Sequence, residues 1–154
     1  MRVLPFGVSG PAAVATRVQA SLRQLPAETE LFSADGFRLH AVPDFISAEE
    51  AAELLKLADP LWQRSKTYEQ EAHRTSDTAS LRGEAAEAPI AVEIMRRASE
   101  LVGLPGSHCE TLQLVRYESE AHYYKEHYDL LDDPEQLLLG GQRVATVLIY
   151  LSSL

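Results

Sequence analysis

Apolar and polar positions divide this chain into a weakly patterned start, two helical stripes and a strand-rich end. Residues 1–33 read as leader or linker. Phe37, Leu39 and Ala41 alternate with polar neighbours after the turn signal Asp35-Gly36, which predicts a short strand over 37–42. A helix start follows. Ser47-Ala48-Glu49-Glu50 has the form of a capping box, and Ile46 stands where it could staple the first turn. Ala51, Leu54, Leu55 and Ala58 recur at helical spacing until Asp59-Pro60 ends the run. Residues 63–88 are mixed and polar, with Gly83 as a breaker, and read as a loop with short strands. Pro89 suits a first helical position. Ile90, Ile94, Ala98, Leu101 and Val102 then form a second stripe, stopped by Gly103 and Pro105.

From Thr111 the period changes to two. Leu112 and Leu114 oppose Gln113, Val115 and Tyr117, predicting a strand over 111–117. The aromatic-rich stretch 122–129 reads as a second strand. Residues 130–141 carry Asp132-Asp133-Pro134 and Gly140-Gly141 and read as a loop. Residues 142–151 are apolar at both alternations, which predicts a strand covered on both faces. Residues 144–151 are also uncharged, with no Lys or Pro to blunt an open edge, so self-association through that edge is expected.

Composition narrows the class. One domain of 154 residues, 45% hydrophobic and 24% charged, is long enough to bury a core. The net charge of -9 and pI of about 5.0 argue against a phosphate-tracking nucleic-acid binder. Cys109 is the only cysteine, so no intrachain disulfide and no Cys-rich zinc site is available; a buried free thiol is expected. No stretch reaches the roughly 18 apolar residues that span a bilayer. Residues 1–27 lack Asp and Glu but contain Arg2, Arg17 and Arg23, in the manner of a transit peptide or a divergent leader. Pro5, Gly7, Gly10 and Pro11 interrupt any secretory h-region, and the compartment stays open.

The candidate chemistry is His127-Tyr128-Asp129. Positions i and i+2 of an extended segment project from one face, so an imidazole and a carboxylate reach one metal. That is two-thirds of the facial triad that holds non-haem Fe(II). His122 is odd-spaced from His127 and would face away.

Several segments together resemble the catalytic domain of prolyl 4-hydroxylases, which are 2-oxoglutarate- and Fe(II)-dependent dioxygenases. They are Val42-Pro43-Asp44-Phe45-Ile46-Ser47, Arg74-Thr75-Ser76, Leu112-Gln113-Leu114-Val115-Arg116-Tyr117, Tyr124-Lys125-Glu126-His127-Tyr128-Asp129 and Gly140-Gly141-Gln142-Arg143-Val144-Ala145-Thr146-Val147-Leu148. The resemblance implies an α+β fold, with N-terminal helices packed on an incomplete double-stranded β-helix, or jelly-roll, over residues 34–154. It implies His127 and Asp129 as iron ligands and Tyr117 as the contact to 2-oxoglutarate. Arg143, Arg74 and Ser76 would lie on the substrate side. The implied cofactors are Fe(II), 2-oxoglutarate and ascorbate, and the implied partner is a proline-containing peptide. Between Tyr117 and His127 the chain carries one residue more than the family, which flips strand facing unless a bulge absorbs it. The family continues to a Gly-Gly-Glu-Thr segment, a second ligand histidine and a lysine for 2-oxoglutarate. Here the five histidines, His40, His73, His108, His122 and His127, all precede Asp129. The expectation is therefore the N-terminal part of such a domain, inactive by itself. An inactive remnant or a peptide-binding module is the alternative.

Overall fold

The computed structural model describes residues 2–3, 18, 25, 29–34, 37–65 and 74–152. The Asp35-Gly36 turn, His73 and most of residues 1–33 lie outside them. In chain order the elements are β1 (Arg2–Val3), β2 (Glu30–Ala34), β3 (Phe37–His40), α1 (Ala48–Ala58), β4 (Gln63–Arg64), β5 (Asp77–Ser80), α2 (Glu84–Glu87), α3 (Pro89–Val102), β6 (Gln113–Arg116), α4 (Pro134–Gly140) and β7 (Ala145–Thr146). The fold is α+β with small antiparallel sheets: β1 with β7, β2 with β3, and β4-β5-β6. Among the described residues no helix is long and apolar enough to cross a membrane.

Both expected helices form for local reasons. At α1 the Ser47 hydroxyl accepts from the Glu50 amide at 3.2 Å, and Glu50 Oε2 accepts from the Ser47 amide at 2.9 Å. These bonds satisfy two donors that a helix start otherwise leaves open. Ala51, Leu54 and Ala58 are buried, while Leu55, expected on the same stripe, is exposed. Helix α3 opens on Pro89 and ends at Gly103, which takes a left-handed φ of 69° that a side chain would resist. Arg97 of α3 ties the two helices together. It donates to the Phe45 carbonyl at 2.9 Å and to Glu50 at 2.6 Å. The backbone bond from Ser47, then Arg97, holds the Glu50 carboxyl below its usual range.

The core lies between these helices and one face of the three-stranded sheet. Leu54 and Ala58 from α1 and Ile90, Ala91 and Ile94 from α3 meet Ala79, Leu81, Leu112 and Leu114. The alternation over 111–117 is observed: Leu112 and Leu114 point inward, and Gln113, Val115 and Tyr117 point out. Strands β4 and β5 are the short strands allowed for within 63–88. A smaller cluster gathers Val18, Val102 and Leu104 with Cys109, Val144, Ala145 and Val147. Cys109 is only half-buried, and burial raises its thiol pKa.

Three expectations are corrected. Residues 122–129 form no strand; among the described residues one backbone bridge, Arg74 to Tyr124, joins them to a distant segment. The loop expected over 130–141 contains α4, because Asp133 caps it through the Glu135 amide at 2.9 Å and Pro134 takes the first turn. Beyond Thr146 the apolar run 142–151 is covered on one face only. Val147, Ile149 and Leu151 pack inward, whereas Leu148 and Tyr150 are 71% and 67% exposed. Its ladder is two residues long, with Arg2 opposite Thr146 and Val3 opposite Ala145, so the chain's own start takes that edge.

Candidate metal and cofactor site

His127 and Asp129 converge. His127 Nε2 lies 3.4 Å from Asp129 Oδ1, although the segment carrying them is not a regular strand. Their side chains are 38% and 33% exposed, while the Asp129 Oδ1 atom between them is buried. His127 Nδ1 is 2.8 Å from the Lys125 carbonyl. A carbonyl only accepts, so Nδ1 carries a proton, and Nε2 is the nitrogen on the carboxylate side. Thr146 of β7 donates to Asp129 Oδ2 at 2.8 Å. The carboxylate is therefore held by one oxygen while the other faces the imidazole. A metal-binding pair needs both features: a fixed tautomer and an oriented carboxylate. The donor set, one imidazole nitrogen and one carboxylate oxygen, fits Fe(II) as far as it goes. Among the described residues no group of three or more His, Cys, Asp or Glu gathers around a common point.

Two sets of bonds fix the backbone around the pair. Upstream, the Thr75 amide donates to the Tyr123 carbonyl at 2.9 Å and the Tyr123 amide donates to the Thr75 hydroxyl at 2.7 Å. Downstream, the Gln142 side chain imitates a strand neighbour. Its Oε1 accepts from the Leu131 and Arg143 amides at 2.7 and 3.0 Å, and its Nε2 donates to the Leu131 carbonyl at 3.0 Å. Between Tyr117 and the pair the chain makes a turn at 118–122. There the His122 amide bonds the Ser119 carbonyl at 2.9 Å, and the His122 ring accepts from the Glu118 amide at 3.1 Å. His122 thus serves the turn.

The remaining expected site residues are placed as follows. Tyr117 follows β6 and is 50% exposed. Ser76 is fully buried, and its hydroxyl meets Ser65 Oγ at 3.0 Å and Arg74 Nε at 2.7 Å. Arg74 also donates to Thr78 Oγ1 at 3.1 Å and lies 4.6 Å over the Tyr124 ring. Tyr124 in turn stacks on His127, with ring centroids 4.0 Å apart. Arg143 forks onto Glu110, at 2.6 and 3.3 Å, and its side chain is mostly buried. The structure thus brings Arg74 and Ser76 to the His127 side through Tyr124, and sends Arg143 to Glu110. Sequence reasoning missed Tyr124, Thr146 and Gln142 as supports. All three sat in quoted motifs, but no local pattern marks any of them as a support.

Prolyl 4-hydroxylase 1 of Arabidopsis thaliana is 34% identical over 122 residues, which is 75% of this chain and 43% of that protein. Probable prolyl 4-hydroxylase 10 of the same plant is 32% identical over 115 residues, 71% of this chain and 39% of that protein. Prolyl 4-hydroxylase subunit alpha-3 of Rattus norvegicus is 37% identical over 120 residues, 71% of this chain and 22% of that subunit. The chain spans less than half the length of these relatives. No family model matches it, and no solved structure does. Over the matched span, the chain is part of a prolyl 4-hydroxylase-like domain.

Proposed function

We propose that this domain serves an Fe(II)- and 2-oxoglutarate-dependent hydroxylation of peptidyl proline, supported by ascorbate, with His127 and Asp129 as two of the iron ligands. The observation that carries the reading is their convergence at 3.4 Å, with Nδ1 committed to Lys125 and Oδ2 to Thr146. Iron and 2-oxoglutarate supply the activation of O2 when bound. The chain's own residues do the rest. Lys125 keeps a proton on His127 Nδ1, which leaves Nε2 as the nitrogen to hold the metal. Thr146 keeps the Asp129 carboxylate turned. Tyr117, half-exposed at the end of β6, is the proposed contact to 2-oxoglutarate. Arg74, Ser76 and Arg143 are proposed for the substrate side. Each is bonded to protein groups as it stands, so a peptide would meet it only as those bonds exchange. The sheet β4-β5-β6 and the run 142–151 are proposed as parts of a double-stranded β-helix.

Among the described residues only these two donors converge, which leaves most coordination positions to water. We therefore expect weak Fe(II) binding and no measurable turnover from the 154 residues alone. The test joins this chain to the part of Arabidopsis prolyl 4-hydroxylase 1 that follows the matched span. Succinate release and hydroxyproline in a proline-rich peptide are then measured. Turnover that is lost in Asp129→Ala supports the reading. A folded chimaera that never releases succinate refutes it. Succinate release by the 154 residues alone, dependent on His127, refutes the expectation of inactivity.

A further inference from the structure

The geometry points to Arg74 and Tyr124 as positioning residues that hold the His127 imidazole in one plane and one tautomer. This inference rests on the reading of His127 as a metal ligand and adds how the ring is set.

The need for such a support follows from the segment itself. Residues 122–129 have one backbone bridge and no ladder, so the chain around His127 is not fixed by a sheet. The rotation of an imidazole about its second side-chain bond is broad and roughly two-fold. One bond to Lys125, two residues away on the same segment, moves with that segment and cannot anchor the ring to anything rigid.

Tyr124 lies on the same segment but is tied to a group outside it, by its backbone bridge to Arg74 and by the Arg74 guanidinium over its ring. Its ring lies against the His127 ring at 4.0 Å with 26° between planes, an arrangement that resists rotation of either. The other neighbour of the Tyr124 ring is the Arg74 guanidinium, 4.6 Å from the centroid. Arg74 is itself locked. Its Nε donates to Ser76 and a terminal nitrogen donates to Thr78, while Ser65 Oγ bonds both of those hydroxyls, at 3.0 and 2.7 Å. Ser76 is fully buried, and Thr78 belongs to β5 in the middle of the three-stranded sheet. A continuous path therefore runs from the rigid sheet through three hydroxyls, a guanidinium and a phenol ring to the imidazole. Arg is suited to this place because its planar fork can bond two hydroxyls and still present a face to the ring; Lys offers no such face.

A role confined to substrate contact would leave the ligand-free His127 ring unaffected by changes at Arg74 or Tyr124. That difference sets the experiment. The chain is labelled with 15N-histidine, and His127→Gln assigns the His127 signals. Ring nitrogens are read with the imidazole neutral, in Tyr124→Phe, Tyr124→Leu and Arg74→Gln, with amide spectra as the check on folding. The unsubstituted chain and Tyr124→Phe should show mainly the Nδ1-protonated form. Tyr124→Leu should shift the population toward the Nε2-protonated form, and Arg74→Gln should do so less. Co(II) alone is the second probe, and Tyr124→Leu should bind it roughly 10-fold more weakly. An unchanged tautomer ratio in a folded Tyr124→Leu or Arg74→Gln chain overturns the inference. A Tyr124-dependent ratio in a chain that binds no Co(II) sustains the inference and counts against the metal reading instead.

Discussion

Replacing Ile94 by Ala should destabilise the domain, and replacing Val92 by Ala, two residues earlier on the same helix, should not. Ile94 is fully buried among Leu54, Ala79, Leu81 and Leu114, whereas Val92 is 52% exposed. Ile to Ala removes three carbon groups, about 2.4 kcal/mol of transfer free energy at ~0.8 kcal/mol each. The cavity left between α3 and the sheet adds to this, giving about 3–4 kcal/mol, inside the usual range for such changes. A small domain is stable by roughly 5–15 kcal/mol, so the loss is large but survivable. Urea unfolding followed by circular dichroism reads it. With a slope of about 1.5 kcal/mol/M, the midpoint should fall by about 2 M at constant slope. Val92→Ala should move it by less than ~0.3 M, since exposed changes stay within about 0.5 kcal/mol. Equal shifts for the two variants would show that α3 presents a different face to the sheet. The placement of β5 and β6, on which the site depends, would then be wrong.

Other consequences can be read separately. Glu50 is held below its usual carboxyl pKa of 4.5 by the Ser47 amide first and Arg97 second. A lowered folded-state pKa gives stability that is present above 4.5 and lost as pH falls through the folded value. The acid limb of a stability–pH curve should accordingly flatten in Glu50→Gln, and an unchanged limb would remove Glu50 from the account. Thr146→Val deletes the 2.8 Å bond to Asp129 Oδ2 while keeping the shape of the side chain. It should weaken Co(II) binding roughly 10-fold with little change in the urea midpoint; equal affinity would mean that the hydroxyl does not orient the carboxylate. Deleting residues 1–3 opens the edge of β7 beside exposed Leu148 and Tyr150. Size-exclusion chromatography should then show self-association, and a monomer indistinguishable from the intact chain would argue that the edge is protected otherwise.

The parts legible in the sequence were those whose signals are local. The Ser47–Glu50 box, Pro89 and Gly103 specify helix ends through bonds and dihedral angles within one turn, so α1 and α3 fell where expected. The alternation around Leu112 and Leu114 was readable because one face of β6 is buried and the other is not. Residues 142–151 misled because apolar side chains state a preference for cover, while the packing decides how many faces receive it. Asp133-Pro134 misled for another reason: the same pair starts a turn or caps a helix, and only the following Leu137 and Leu138 favour the helix. At the candidate site, the i, i+2 spacing of His127 and Asp129 brings their side chains together even without a strand. Arg143 with Glu110, Thr146 with Asp129 and Arg74 with Tyr124 are contacts between segments distant in sequence, so no window of residues contains them.

The most direct test of the central claim is to titrate the chain anaerobically with Fe(II) and map which amide signals broaden. Broadening centred on residues 127–129 and on Thr146, abolished by His127→Ala and by Asp129→Ala, is the predicted result. Stoichiometric, tight iron binding that survives His127→Ala, with broadening centred elsewhere, would contradict the account.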